Sequence, residues 1–166
     1  RANNSGALTY PGYSSGRSSI SIARYTSGGS GTDPYKPFNT SISTNSNTVL
    51  FLSFVIRVST AQNSGSYCVA FRTGAGNYLG RFFVRNSSGN VNFGIETDGS
   101  TNVDWTGNYS YNVTYLIVIR YDINDADNDD DAYLWVNPAM PTQPSTASPQ
   151  ANVSNTGDDD NTTLTA

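Results

Sequence analysis

A period-two alternation of apolar and polar residues is the main pattern of this sequence. In residues 49–60 five apolar side chains fall on one face of an extended chain: Leu50, Leu52, Phe54, Ile56 and Val58. This periodicity predicts a β-strand. The opposite face is also mostly apolar, so the strand is expected to be covered on both faces, as in the centre of a β-sandwich.

Similar patterns predict strands at 67–73, 78–85, 91–96, 114–122 and 132–137, the last ended by Pro138. Short strands are expected near 18–24 and 38–43, and a polar segment with aromatic residues spans 101–111. Residues 86–90 (NSSGN) suit a hairpin loop with a positive φ at Gly89. The strands on either side of that loop are therefore predicted to pair antiparallel.

The C-terminal stretch 138–166 differs from the rest because it holds four of the seven prolines. It is predicted to wrap the fold without regular structure before a short strand at 162–166. Strands of this length with turns between them, and no helical window, predict an all-β fold with two antiparallel sheets. The length of 166 residues fits one domain, 1–166, either by itself or as a module of a longer secreted chain.

The composition changes what chemistry is expected. Charged residues make up 13% of the chain, with one Lys (Lys36), one Glu (Glu96) and no His. The absence of His excludes Ser-His-Asp and Cys-His relays and zinc sites built on His. A single Glu also excludes the paired glutamates common in glycoside hydrolysis. We therefore expect no enzyme, and the remaining catalytic alternative is a degraded hydrolase with an Asp pair.

Charge and cysteine content limit the partners. The formal net charge is −4, whereas nucleic-acid binding needs a basic face, so nucleic acid is not expected as a partner. The sequence has no apolar run of 18 residues, so membrane insertion is not expected either.

Cys68 is the only cysteine and sits among apolar residues, which predicts a small core side chain rather than a reactive thiol.

The loop 122–131 contains six of the twelve Asp residues. Alternate carboxylates in this loop, with Asn side chains and backbone carbonyls, suit Ca²⁺. The candidate ligands are Asp122, Asp125, Asp127, Asp129 and Asp131. The loop lacks the Gly and the final Glu of an EF-hand, and the alternative is a solvated acidic hairpin tip. The run 158–160 is either a second weak site or a polar turn.

Three aromatic residues lie in the polar segment 101–111, where a core role is not obvious. Sugar-binding modules stack sugar rings on aromatic side chains and bind the hydroxyls through Asn and Asp. The candidate ligand-binding residues are Trp105, Tyr109, Tyr111, Asn102, Asp104 and Asn108. The alternative is that Trp105 covers the edge of a sheet.

Several segments together resemble a known family. They are 8–13 (LTYPGY), 49–55 (VLFLSFV) followed by 59–62 (STAQ), 80–85 (GRFFVR), 93–95 (FGI), 114–118 (TYLIV) and 134–138 (LWVNP). In order and spacing, from about residue 7 to the end, they resemble LamG-like, concanavalin A-like jelly-roll modules of large secreted proteins of Bacteroidota. The resemblance implies a two-sheet jelly roll at the cell surface, in a context of adhesion or glycan handling, with no catalytic residues to carry over.

The sequence departs from that family in two places, and it also lacks the catalytic residues of other jelly rolls. The run 125–131 is richer in Asp than the short loop expected there. An initial strand before residue 8 and closing strands after the last residue are expected in such modules and are not evident. The Glu-x-Asp-x-Glu and Arg/His/Tyr constellations of catalytic jelly rolls are missing, which disfavours those branches.

Two functional hypotheses follow. The first is a non-catalytic extracellular module for adhesion or carbohydrate binding, with glycans or cell-surface polymers as partners. The second is a structural subunit of an extracellular filament or sheath that binds other copies of itself. In that case a terminal segment, 1–10 or 161–166, would complete a neighbour's sheet by strand complementation. The alternative to complementation is that the sequence is a fragment of a longer chain.

Overall fold

The computed structural model describes residues 3–4, 8–12, 19–20, 36–43, 47–74, 76–97, 102–124, 130–139 and 148–154. All regular structure in these ranges is β. The strands are β1 (Asn3–Asn4), β2 (Ser19–Ile20), β3 (Thr48–Arg57), β4 (Ser66–Arg72), β5 (Tyr78–Ser87), β6 (Asn90–Glu96), β7 (Asp104–Trp105), β8 (Thr114–Ile123), β9 (Asp131–Val136) and β10 (Ala151–Ser154). Over the same ranges no helix is long and apolar enough to cross a membrane.

The longer strands form two antiparallel sheets, with strand orders β10-β9-β8-β3 and β4-β5-β6-β7. The strands β1 and β2 form a separate two-stranded pair. Ten consecutive residue pairs join β3 to β8, and seven join β5 to β6. This arrangement confirms the predicted all-β fold with two antiparallel sheets, a β-sandwich.

The inner faces of the two sheets pack against each other through aromatic residues. The ring of Phe54 on β3 lies 5.3 Å from that of Phe82 on β5, in an edge-to-face arrangement. The ring of Phe93 on β6 lies 5.6 Å from that of Tyr115 on β8. Burying a large apolar side chain contributes about 1.5–3 kcal/mol relative to leaving it exposed. The alternation along β5, β6 and β8 thus stabilises the sandwich by placing one face of each strand in this core.

The prediction that β3 is covered on both faces was wrong. In the part of the chain that the structure describes, β3 ends its sheet and pairs with β8 alone. On its outer face Val49 is 48% exposed and Phe51 is 37% exposed. Part of this outer face still has a contact on the neighbouring strand β8, because the ring of Phe51 lies beside the guanidinium of Arg120.

The hairpin between β5 and β6 is tighter than predicted. Only Ser88 and Gly89 form the turn, and the strands continue on both sides through residues 86, 87 and 90. The φ angles are +50° at Ser88 and +84° at Gly89, which confirms the positive φ predicted at Gly89. Two successive positive φ angles are typical of the type I′ turn, whose twist matches that of the flanking strands.

Two other segments depart from prediction. The strand expected at 38–43 is only an isolated bridge at Ile42. In the polar segment, for which no element was predicted, the structure describes the two-residue strand β7 and a bridge from Tyr109 to Val91. The tail expected to be irregular contains β10, which pairs with β9 from Ala151 opposite Leu134 onward. This short strand was not predicted because the stretch before it is rich in proline and because the strand depends on its pairing with β9. Of the strand expected at 18–24 the structure describes Ser19–Ile20, and residues 158–166 lie outside the described residues.

Candidate functional site

The outer face of the β4–β7 sheet carries rings and guanidinium groups in alternation. Along β5, Arg81, Phe83 and Arg85 alternate with Phe82 and Val84, which pack in or against the core. Tyr67 on β4 and Trp105 on β7 flank them, with ring centroids 5.9 and 6.2 Å from that of Phe83. We call Tyr67, Arg81, Phe83, Arg85 and Trp105 the aromatic–arginine face.

Two glycines make room for the indole of Trp105. Gly94 lies directly opposite Trp105 on β6, and a Cβ there would lie 2.6 Å from Val103 Cγ1 and 2.8 Å from Trp105 Cε3. A Cβ at Gly65, where φ is +78°, would lie 2.8 Å from Trp105 Cη2. These distances are too short for any side chain larger than hydrogen. The two glycines therefore leave the space that the indole of Trp105 occupies.

Arg85 is held in place over this indole. Its Cζ lies 4.0 Å from the ring centroid of Trp105, which is a cation–π distance. Its Nε donates a hydrogen bond to Asn92 Oδ1 at 3.2 Å. The Nδ2 of the buried Asn92 in turn donates to Gly107 O and to Asn108 Oδ1, both at 2.9 Å. The guanidinium of Arg85 is thus fixed by the ring of Trp105 on one side and by the amide of Asn92 at its Nε.

Arg81 occupies the other end of the face and is already neutralised. Its Nη2 lies 2.6 Å from Oε1 of Glu96, which is only 2% exposed. Its Cζ lies 5.6 Å from the ring of Tyr67 and 5.9 Å from that of Phe83. Among the described residues its buried Nε has no hydrogen-bond partner. Leaving such a donor unsatisfied costs about 1–3 kcal/mol.

The structure brings only part of the predicted sugar-binding patch to this face. Trp105 belongs to it, and the exposed Asn108 is connected to it through Asn92 and Arg85. Asp104 turns toward the other sheet, where its Oδ2 accepts a hydrogen bond from the backbone N of Asn152. Asn102 is exposed and precedes β7.

The other two predicted aromatic residues lie on the inner side of the sandwich. Tyr109 packs 5.2 Å from Phe93 and 5.1 Å from Tyr115, and burial, with a smaller effect of Tyr115, raises the pKa of its phenol. The Oη of Tyr111 donates to Asn86 Oδ1 at 2.9 Å. Neither Tyr67 nor the three residues of β5 were predicted as site residues, although the alternation of the β5 residues with core residues is visible in the sequence.

Two of the predicted calcium ligands are described, and both already have protein partners. Asp122 and Asp131 are paired across β8 and β9. Asp122 Oδ2 lies 2.6 Å from Arg120 Nη2, and this hydrogen bond is the largest cause of the raised pKa of Arg120. Asp131 Oδ2 accepts a hydrogen bond from Tyr133 Oη at 3.1 Å.

Asp125, Asp127 and Asp129 lie outside the described residues. Within the described ranges no three metal-ligating side chains come together. At the base of the loop, the buried Asp130 accepts hydrogen bonds from Tyr121 Oη at 2.7 Å and from the backbone N of Asn124 at 2.9 Å. The calcium site therefore stays a prediction.

The aromatic–arginine face is thus the best-formed candidate site of the described structure, since it combines partly exposed rings with a fixed guanidinium. Comparison with known proteins adds no assignment, because no family model, no curated protein and no solved structure matches the chain.

Proposed function

We propose that this protein is a non-catalytic extracellular module that binds glycans through the aromatic–arginine face. The observation that carries the proposal is the continuous row of rings across β4, β5 and β7, flanked by guanidinium donors. Sugars present apolar C–H faces and polar hydroxyl groups. A surface of aromatic rings with a few placed polar groups is suited to both. The resemblance to LamG-like surface modules supports the same proposal.

The dimensions of the face suit a chain of sugars better than a single small molecule. Neighbouring strands lie about 4.8 Å apart, so the distance from β4 to β7 is roughly 15 Å. At one end of this row Tyr67 is 43% exposed, which makes its ring accessible for stacking. The face therefore offers several adjacent contacts to an extended polymer.

Binding without catalysis is proposed because of the chemistry of the acidic groups. Glu96, the single Glu of the chain, is buried and held in an ion pair with Arg81. Splitting a glycosidic bond usually needs two carboxyl groups flanking the scissile bond. Asp104, which lies on the neighbouring strand, is directed away to the backbone of Asn152. Turnover of any polysaccharide by the purified protein would contradict this part of the proposal.

The experiment is affinity electrophoresis or pulldown with a panel of insoluble and soluble polysaccharides. Tyr67→Ala and Trp105→Ala are expected to lose retention on the polymer that the wild-type protein binds. Tyr133→Ala is the matched control, because Tyr133 is a half-buried ring on the outer face of the other sheet. Circular dichroism shows that each variant is folded. Absence of retention on every polymer tested would overturn the proposal.

One observation favours the second candidate function, a structural subunit of an extracellular filament or sheath. Val49 and Phe51 are exposed on β3, the last strand of its sheet among the described residues. Long apolar strands at sheet ends are typical sites for pairing with another chain. Light scattering distinguishes the two functions: a stable monomer contradicts assembly, whereas polymers that disappear when residues 1–10 or 161–166 are deleted support it.

A further inference from the structure

We infer that the aromatic–arginine face selects glycans that carry carboxylate groups, and that Arg85 binds the carboxylate. This inference rests on the proposed function, because it names the class of glycan for the same face. It goes beyond that function by assigning a charge requirement to one residue.

Arg85 carries a charge that forms no ion pair with any described residue. Arg81 is paired with Glu96 and Arg120 with Asp122. Arg85, in contrast, forms no ion pair in the part of the chain that the structure describes, and its one hydrogen bond goes to the neutral amide of Asn92. A charged group that is partly removed from water is costly unless an opposite charge and hydrogen bonds compensate it. A bound anion would supply both.

The guanidinium of Arg85 is also preorganised. The ring of Trp105 and the acceptor Asn92 fix its plane and occupy its Nε. Among the described residues, Nη1 and Nη2 form no hydrogen bond, and this planar pair of donors matches the two oxygens of a carboxylate. Because the guanidinium is already ordered, little conformational entropy is lost when the ligand binds.

The net charge of the protein favours one kind of acidic polymer over another. The protein has a formal net charge of −4, which repels a densely charged polyanion. Charges separated by more than about 8 Å are largely screened at physiological ionic strength, so the net charge weakens but does not prevent direct contact between the guanidinium and a carboxylate. A uronic-acid polysaccharide has at most one carboxylate per sugar, and its rings can lie on the exposed ring of Tyr67. Densely sulfated polymers fit this balance less well.

The experiment compares polymers that differ only in charge. Polygalacturonate and alginate are tested against the intact 166-residue protein, each beside its carboxyl-reduced, neutral form. The acidic polymers are expected to bind and the reduced forms to bind at least tenfold more weakly. Arg85→Gln keeps a flat polar group over Trp105 and removes the charge, so it should weaken binding to the acidic polymers by roughly 10- to 100-fold.

Matched variants separate charge, geometry and folding. Arg85→Lys keeps the charge without the planar fork and is expected to fall between the wild type and Arg85→Gln. Arg57→Ala removes one positive charge from an exposed position on the other sheet and should change affinity less than twofold. Melting temperatures show whether each variant keeps the native fold. An Arg85→Gln variant that is folded and binds as the wild type does would overturn the inference.

The remaining outcomes distinguish this inference from the proposed function. Equal binding of the acidic and the carboxyl-reduced polymers would overturn the carboxylate assignment and leave glycan binding supported. Binding of dextran sulfate with no binding of polygalacturonate or alginate would also overturn it, in favour of sulfate. Failure to bind any polymer, neutral or acidic, would overturn both.

Discussion

The carboxylate of Asp104 joins the two sheets by accepting a hydrogen bond from the backbone N of Asn152 at 2.9 Å. Asp104 belongs to β7 and Asn152 to β10, the end strands of different sheets. The other carboxylate oxygen accepts a hydrogen bond from the backbone N of Trp105 at 3.0 Å. One side chain thus anchors the strand that carries the indole of the aromatic–arginine face to the opposite sheet.

Replacing Asp104 is expected to loosen this connection. Asp104→Ala should lower the free energy of unfolding by about 1 kcal/mol, because one hydrogen bond between the sheets is lost at an exposed position. Asp104→Asn should cost less, since its amide oxygen can still accept one of the two bonds. Urea denaturation of the three proteins measures the difference. Equal stability of the wild type and Asp104→Ala would contradict this role.

Gly94 is expected to tolerate no side chain. In Gly94→Ala the new methyl group would lie within 3 Å of Val103 and Trp105, so the indole must move or the strands must separate. We expect a loss of about 1–3 kcal/mol in stability and a red shift of the tryptophan fluorescence. Gly107→Ala is the control, because nothing lies within 4 Å of its Cβ position. If both variants were equally stable, the absence of a side chain at Gly94 would not be needed to accommodate Trp105.

The hydrogen bond from Tyr121 to Asp130 is expected to be worth more than a similar bond at the surface. Tyr121→Phe removes a donor from a buried carboxylate, which should cost about 1–3 kcal/mol. Tyr133→Phe removes a hydroxyl that binds Asp131 on the outer face and should cost less. Thermal unfolding of the two variants provides the comparison. The reverse order would show that Asp130 finds other partners readily.

Cys68 is expected to be unreactive in the folded protein. Burial raises the pKa of its thiol from the ordinary 9.0 to about 12, so almost no thiolate is present at pH 8. Labelling with a disulfide reagent at pH 8 should therefore be slow in buffer and fast in urea. Prompt labelling of the native protein would show that the thiol is accessible.

The raised pKa of Cys68 also makes its contribution to the stability of the fold depend on pH. The folded state keeps a proton that the unfolded state releases, so the contribution of Cys68 is fully present below about pH 9 and is lost as the pH rises toward 12. The difference in stability between the wild type and Cys68→Ala should accordingly decrease over that interval. A constant difference would contradict the sign of the shift.

Calcium binding in the loop 122–131 is tested by melting temperature. Binding to the native state raises stability by mass action, so the Tm in millimolar Ca²⁺ should exceed the Tm in EGTA. Asp127→Asn should reduce this increase, whereas Asp104→Asn, outside the loop, should leave it unchanged. Equal Tm values for the wild type in both buffers would exclude the site.

Local pattern was sufficient for the strands that form the centre of the fold. The alternation in β5, β6, β8 and β9 predicted these strands to within two residues at each end, because each has one face in the core. The antiparallel pairing across Gly89 followed from turn chemistry. Both are short-range effects that a sequence displays directly.

Contacts between segments that are distant in the sequence explain the features that the local pattern did not predict. The short strand β10 exists because it pairs with β9, and Tyr109 packs against the core because Val91 pairs with it across the sheet. The candidate site depends on the same kind of effect. Arg85 and Trp105 are 20 positions apart in the sequence, and only the pairing of β5, β6 and β7 places one over the other. Trp105 was therefore predictable as a candidate, whereas its arginine partner was not.

The long ladder between β3 and β8 also constrains the order of assembly. Its partners are separated by 57 positions at one end, Arg57 with Thr114, and by 75 at the other, Thr48 with Ile123. During synthesis β3 must wait until β8 has emerged, whereas β4, β5 and β6 can pair with their sequence neighbours immediately. Non-local pairing of this kind is slow because the loop must close before any contact forms. Until residues 114–123 have emerged from the ribosome, the chain therefore holds the paired strands β4, β5 and β6 beside an aggregation-prone apolar strand that still lacks its partner β8.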